Sequence, residues 1–108
     1  METKLKTTIT VSPFDYRVYQ ATKRIPKSKV ATYAWIARQI NSPHAARAVG
    51  NTLHKNPYAP TVPCHRVVRS DGYLGGFASG MRKKEKLLRK EGVVILENRI
   101  DLSKFGMK

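Results

Sequence analysis

The strongest constraint on the fold is the punctuation around residues 32–43. Thr32 precedes Tyr33-Ala34-Trp35-Ile36-Ala37-Arg38-Gln39-Ile40, in which Ile36 and Ile40 lie one helical turn apart and Ala37 can pack closely beside them. A threonine there can accept a hydrogen bond from an otherwise orphaned backbone N–H, so a helix is expected over 33–40. Asn41-Ser42-Pro43 is both a stop and a new start: Ser42 can cap, and Pro43 suits the first helical position. The next helix is expected over 44–53. Two short helices joined by so tight a turn form a helix-turn-helix.

Similar punctuation organises the rest of the chain. After a loose lead-in over 1–11, Ser12-Pro13-Phe14-Asp15 starts a helix, with Ser12 as cap, Pro13 in the first turn and Asp15 at the positive end of the dipole. Phe14, Val18 and Ala21 or Thr22 give it one apolar face, and Ile25-Pro26-Lys27 ends it. Beyond Asn56-Pro57, the prolines of Tyr58-Ala59-Pro60-Thr61-Val62-Pro63 stiffen a loop that delivers Cys64-His65-Arg66-Val67-Val68. Asp71-Gly72 suggests a hairpin-like turn between Val67-Val68-Arg69 and Tyr73-Leu74. The glycine-rich stretch 75–80 lacks the spacing of a phosphate-binding motif. A last helix over 81–91 would turn Met81, Leu87 and Leu88 inward. Arg82, Lys83, Lys84, Lys86, Arg89 and Lys90 would point largely outward, with Gly92 as terminator and a short strand over 93–96. The expected fold is mainly α, a winged-helix-like helix-turn-helix with a small β-hairpin, and residues 1–108 are expected to form one domain.

Charge narrows the partners. Lys and Arg number 21 against 7 Asp and Glu, a formal +14. Phosphate backbones are the commonest partner of such an excess, with general solubility as the plain alternative. No apolar run approaches the roughly 20 residues of a membrane span, and the first residues offer no secretory signal. The expected setting is cytoplasmic, nucleoid-associated or otherwise intracellular, without a membrane. The third helix suits nucleic acid: Ala45, Ala46, Ala48 and Gly50 allow close approach, and Arg47 stands alone among them. Small residues also permit tight helix packing, with Arg47 a solvated charge.

Cys64 is the single cysteine, so neither an internal disulfide nor a cysteine zinc site is available. A lone intracellular cysteine often serves as a small buried hydrophobe. Acting as a nucleophile requires a base and a group that orients the base. His65 is adjacent, but neighbouring side chains on extended backbone diverge, so a bridging water would be needed. Glu91 is a candidate to hold the imidazole.

Pro63-Cys64-His65-Arg66-Val67 resembles the active-site signature of the O6-alkylguanine-DNA alkyltransferases, the methylated-DNA–protein-cysteine methyltransferases. Thr32-Tyr33, Ala45-Ala46-Arg47-Ala48-Val49-Gly50, Asn56-Pro57 and Glu91-Gly92 follow the same family's order and spacing, so the resemblance covers roughly 13–92. It implies DNA repair by direct reversal: an O6-alkylguanine is flipped from duplex DNA and its alkyl group passes irreversibly to Cys64, once per molecule. His65 would draw the thiol proton through a water, with Glu91 orienting it. Asn56 would tie the active-site loop together. Tyr33 would crowd the flanking phosphate and offer its hydroxyl to the guanine. Arg47 would fill the vacated stack from a helix entering the minor groove, where Ala45, Ala46, Ala48 and Gly50 allow close approach. Val67, Phe77, Ala78 and Ser79 would line the alkylguanine pocket. The resemblance implies no cofactor or metal, a monomer, and double-stranded DNA as partner, with O4-alkylthymine an open second substrate.

The sequence departs from the family pattern in several places. The preceding domain carried by many members is missing, which suggests a minimal form. Phe77 and Ala78 stand where tyrosine and serine are common, and His54 where arginine is frequent. Three rivals remain. An alkyltransferase-like binder that flags damage would lack the acceptor cysteine. A helix-turn-helix regulator fits the charge but leaves the 63–67 signature unexplained. A cysteine hydrolase would need an oxyanion site and a base better placed than an adjacent histidine.

Overall fold

The computed structural model describes residues 11–75 and 80–108. Helix α1 (Pro13–Lys23) begins as its sequence dictates, with Ser12 Oγ accepting from Asp15 N at 3.0 Å. Its buried face holds Val18, Tyr19, Ala21 and Thr22, and the Thr22 hydroxyl donates back to Val18 O. Strand β1 (Ala31–Thr32) runs directly into α2 (Tyr33–Gln39), where Thr32 Oγ1 accepts from Trp35 N at 3.0 Å.

The next helix starts later than the Ser42-Pro43 signal suggests. Asn41 adopts a positive φ of 61°, and Ser42 N closes onto Ala37 O. The Ser42 carbonyl then accepts from Ala45 N, making residues 42–45 a turn. Helix α3 (Ala46–His54) follows with Ala45 at its N-cap and no side-chain cap. The backbone turn thus takes over the role expected of the serine hydroxyl. Helices α1 and α3 are joined by Thr52 Oγ1 donating to Asp15 Oδ1 at 2.7 Å and by Lys55 Nζ, 3.3 Å from Asp15 Oδ2.

Cys64–Arg66 form a single 3-10 turn that passes into β2 (Val67–Val68). The expected reversal after β2 is present: Arg69 N donates to Tyr73 O and Gly72 N to Arg69 O. Gly72 has φ +89°, and a Cβ there would lie 2.6 Å from Ile100 O, so only glycine fits. The β-pairing differs from the expected hairpin. β2 pairs in parallel with β1, Ala31 opposite Val67 and Thr32 opposite Val68. Tyr73 instead bridges antiparallel to Arg99. Burial explains the choice: Val67 and Val68 are both fully buried, as in a strand covered on both faces. Their side chains alternate, so Val67 joins the core of α1, α2 and α3 with Ile25, Ile36, Val49 and Leu53. Val68 joins a second core with Val30, Leu74, Leu88, Ile95 and Ile100.

Helix α4 (Met81–Lys90) ends at Glu91, and Gly92 follows at φ +93° as expected. Its facing differs from expectation at two positions. Met81 is half exposed at the helix start, while Lys84 is fully buried. Residues 93–96 are not a strand: Val93 and Ile95 point into the second core, and Leu96 bridges Arg99 in a turn. Helix α5 (Leu102–Phe105) leads the C-terminus back beside Val30, whose N–H and C=O bond Phe105 O and Met107 N.

Candidate active site

Asn56 builds the approach to Cys64. Its Nδ2 donates to Val62 O and its Oδ1 accepts from Tyr58 N, both at 2.9 Å. Val62 O also accepts from Cys64 N at 2.8 Å, so the amide is one bond removed from the cysteine backbone. The amide thus links residues 56, 58 and 62 of the segment before Cys64. Cys64 is half-buried and packs against the α1–α3 core together with Tyr33 and Tyr58.

His65 is buried at 4 % exposure, and its Nε2 lies 3.0 Å from Glu91 Oε2. With Glu91 ionised, Nε2 carries the proton and donates, which leaves Nδ1 as the nitrogen able to receive one. Arg66, which the sequence reading passed over, completes the cluster. Its Nε donates to Glu91 Oε1 at 2.9 Å, its Nη2 to Oε2 at 2.8 Å and its Nη1 to Ile25 O at 2.7 Å. Burial pushes the Glu91 carboxyl upward, but the bonds from Arg66 and His65 outweigh it and hold the group below the usual carboxylate range. Ser28 Oγ donates to the Glu91 carbonyl at 2.6 Å and anchors the end of α4. The arrangement fixes the orientation of the imidazole on the residue that follows Cys64.

Tyr33, at the start of α2, is partly buried against the α1–α3 core. Its phenol is pushed above its ordinary value, first by burial and then by the charge of a Cys64 thiolate, so it remains a proton donor at neutral pH. A Cβ on Gly50 would meet its ring at 3.7 Å. Gly75 sits at φ +77°, and a Cβ there would come within 3.3 Å of the Tyr33 hydroxyl. Tyr33 also lines an open cleft of about 630 Å³ with Ala46, Arg47, Gly50, Arg69 and Asp71. Arg47 and Ala48 are exposed, and Ala45 is partly buried against the α1–α3 core. Of the residues singled out on this helix, Arg47 and Ala48 are thus open to solvent, whereas Ala45 packs against the core and Gly50 lies against the Tyr33 ring. His54 is exposed at the end of α3.

Of the residues expected to line a base pocket, Val67 is fully buried with its side chain in the α1–α3 core, because β2 turns that face inward. Its side chain is therefore not a pocket wall. Phe77, Ala78 and Ser79 lie outside the described residues. Arg69 and Asp71, an ion pair at 2.8 Å, line the cleft and had no counterpart in the sequence reading. A groove of about 680 Å³ between Ser70, Asp71 and the C-terminal segment carries none of the candidate catalytic side chains. Among the described residues, none of the His, Cys, Asp and Glu side chains gather into a metal site, and no helix is long and apolar enough to cross a membrane.

Fold and site together define a helix-turn-helix domain with a half-buried thiol next to a carboxylate-held histidine. Residues 13–93 match the family described as 6-O-methylguanine DNA methyltransferase, DNA binding domain. The methylated-DNA–protein-cysteine methyltransferase of Salmonella typhimurium is 45 % identical over 92 residues, covering 85 % of this chain and 54 % of that protein. That of Methanosarcina acetivorans is 48 % identical over 79 residues, 73 % of this chain and 51 % of that protein. Among solved structures, Schizosaccharomyces pombe Atl1 in complex with damaged DNA containing O6-carboxymethylguanine superposes with a TM-score of 0.83 at 31 % identity, over 93 % of this chain and 99 % of Atl1. Mycobacterium tuberculosis OGT in complex with DNA gives 0.74 at 42 % identity, over 77 % of this chain and 52 % of that one. The chain belongs to the 6-O-methylguanine DNA methyltransferase family. It spans about half the length of the curated relatives it matches.

Proposed function

We propose that this chain repairs DNA by taking the alkyl group of O6-alkylguanine onto Cys64, irreversibly and once per molecule. The observation that carries the reading is a half-buried free Cys64 whose sequence neighbour, the buried His65, is held through Nε2 by Glu91 at 3.0 Å. A binding module has no need of a base oriented next to a cysteine.

The alkyl carbon of an O6-alkylguanine is enclosed in the duplex, so the nucleotide must leave the stack at a cost of a few kcal/mol. Helix α3 enters the minor groove, its small residues Ala45, Ala46, Ala48 and Gly50 permitting close approach. Arg47 occupies the space the base leaves, offsetting part of that cost. Tyr33 crowds the adjoining phosphate. His65 Nδ1 accepts the Cys64 proton through a water, and the sulfur attacks the alkyl carbon. The S–C bond forms as the C–O6 bond breaks, its electron pair leaving with the guanine. Tyr33 donates a hydrogen bond to the departing base, which takes up a proton. Net, the thiol hydrogen has replaced the alkyl group, and the thioether has no easy return. O4-alkylthymine offers the same alkyl–oxygen linkage and forms a natural second substrate. The chain acts as a monomer inside the cell.

Duplex DNA carrying O6-methylguanine, mixed with the protein, should add one methyl mass to the Cys64 peptide and leave guanine in the DNA. Cys64→Ser should abolish the gain while keeping DNA affinity within about threefold. A second reading is favoured by the near-complete correspondence with Atl1: recognition of alkylated DNA without transfer. Tight binding with no mass gain would establish that reading and sink this one.

A further inference from the structure

Helix α4 carries six basic residues, and the fold engages two of them. Lys84 turns inward, where its Nζ donates to Val67 O at 2.7 Å and to Leu74 O at 2.5 Å. Arg89 is held by Glu85 at 2.8 Å and by Ile95 O at 3.0 Å. The other four, Arg82, Lys83, Lys86 and Lys90, are exposed, and among the described residues no hydrogen bond or ion pair engages them. At 3.6 residues per turn these four share an arc of about 100°, directed away from the buried Lys84 and Leu88. Arg82 and Lys86, and Lys86 and Lys90, are like-charge pairs one turn apart, which destabilises an isolated helix. A face that only had to be wetted gains nothing from that repulsion, whereas an external polyanion removes it.

Helix α3, in contrast, has Arg47 as its single Lys or Arg, and Lys55 just beyond it is paired with Asp15. One cation neutralises one phosphate, too few for the salt-dependent grip by which proteins hold undamaged duplex. We propose that the outer face of α4 is a lesion-independent phosphate-binding surface, on which Arg82, Lys83, Lys86 and Lys90 hold the backbone of undamaged duplex DNA. This rests on duplex DNA as the partner, and not on alkyl transfer. The stripe runs about 12 Å from residue 82 to residue 90, and that length of duplex axis presents roughly three to four phosphates on one strand. Four cations therefore meet a similar number of phosphates. Contacts of this kind carry no sequence information, so they keep the chain on DNA while Arg47 samples successive base pairs.

The test is the salt dependence of binding to an undamaged duplex, followed by fluorescence anisotropy. Wild type is compared with Lys83→Gln/Lys86→Gln/Lys90→Gln and, as control, with Arg17→Gln/Lys23→Gln/Lys27→Gln. Both variants lose three exposed cations, so their net charge is matched. Glutamine has nearly the helix propensity of lysine, so the fold should hold. The slope of log Kd against log salt should shrink by about 2.7 in the α4 variant, three lysines at about 0.9 each, and by less than about 1 in the control. A shrinkage below about 1 in the α4 variant overturns the proposal. Equal shrinkage in the two variants overturns it as well, since only net charge would then be read. Should the α4 variant fail to fold, acetylation of wild-type lysines by N-hydroxysuccinimidyl acetate, read by mass, decides. Undamaged duplex should protect Lys83, Lys86 and Lys90 several-fold more than Lys23 and Lys27, and equal protection overturns the idea. A wild type that grips undamaged duplex through α4 but takes no methyl from O6-methylguanine DNA refutes the function and leaves this surface standing.

Discussion

Replacing Glu91 by glutamine separates what the His65–Glu91–Arg66 cluster does for stability from what it does for chemistry. The carboxylate accepts three bonds, two from Arg66 and one from His65, with side-chain exposures of 12 % for Glu91, 15 % for Arg66 and 5 % for His65. Glutamine keeps the shape but offers one oxygen, and its NH2 must face at least one N–H donor. Removing one member of a buried pair costs about 3–5 kcal/mol; the residual exposure lets water reach Arg66, which brings the expected loss to about 2–3 kcal/mol. With an unfolding entropy near 2.1 cal/mol/K per residue, the chain's 108 residues give about 0.23 kcal/mol/K. The melting temperature should therefore fall by roughly 10 °C. His65 also loses the acceptor that fixes its Nε2–H tautomer, so single-turnover methyl transfer should slow by about 100-fold. Adding Arg66→Met removes the stranded cation and should recover most of the stability, yet none of the rate. The acid limb gives an independent sign. The native Glu91 carboxyl is held below its unfolded value, so its contribution is complete above roughly pH 4.3 and is lost as pH falls through the lower native value. The wild type should lose stability more steeply than Glu91→Gln across that window. Calorimetry and quenched-flow transfer assays read both quantities, and a variant that melts within 2 °C of wild type or transfers within threefold refutes the reasoning.

Arg47→Ala should slow transfer from duplex O6-methylguanine by about 10- to 100-fold, the unstacking cost it offsets, and leave transfer from the free base O6-benzylguanine within twofold; equal losses would remove its stacking role. Asn56→Ala deletes two part-buried bonds, for an expected loss of about 2 kcal/mol in urea unfolding, together with slower iodoacetamide labelling of Cys64. Unchanged labelling would mean the loop holds its shape without the amide.

The caps of α1 and α2 were legible because Ser12 and Thr32 act locally, each on an N–H three residues ahead. The start of α3 was not, since the positive φ at Asn41 lets backbone groups of Ala37, Ser42 and Ala45 close the turn and leaves the serine cap unused. The parallel pairing of β1 and β2 joins residues 36 positions apart, 31 with 67, and no local pattern encodes it. For the candidate site, Cys64, His65, Asn56, Tyr33 and Glu91 were named through spacing and resemblance, and of these the structure joins His65 to Glu91 and Asn56 to the loop before Cys64. Arg66 and Lys84 were hidden by the chain's basicity, which makes any one cation look like solvated surface. A signal for Lys84 did exist: it lies one helical turn before the buried Leu88, on the inward face of α4. Charge count argued for exposure and helical phase for burial, and the two carbonyls of Val67 and Leu74 decide in favour of phase.

Tyr33 shows why a thiol and a helix-turn-helix fit together in so short a chain. The residue directly follows β1, whose parallel partner β2 begins right after the cysteine turn, so the sheet fixes phenol and sulfur relative to each other through backbone pairing. From the same place its ring meets Gly50 on α3 and lines the cleft beside Arg47. A movement of α3 against α2 would shift Tyr33, so under the proposed function groove docking and thiol chemistry would share one reference.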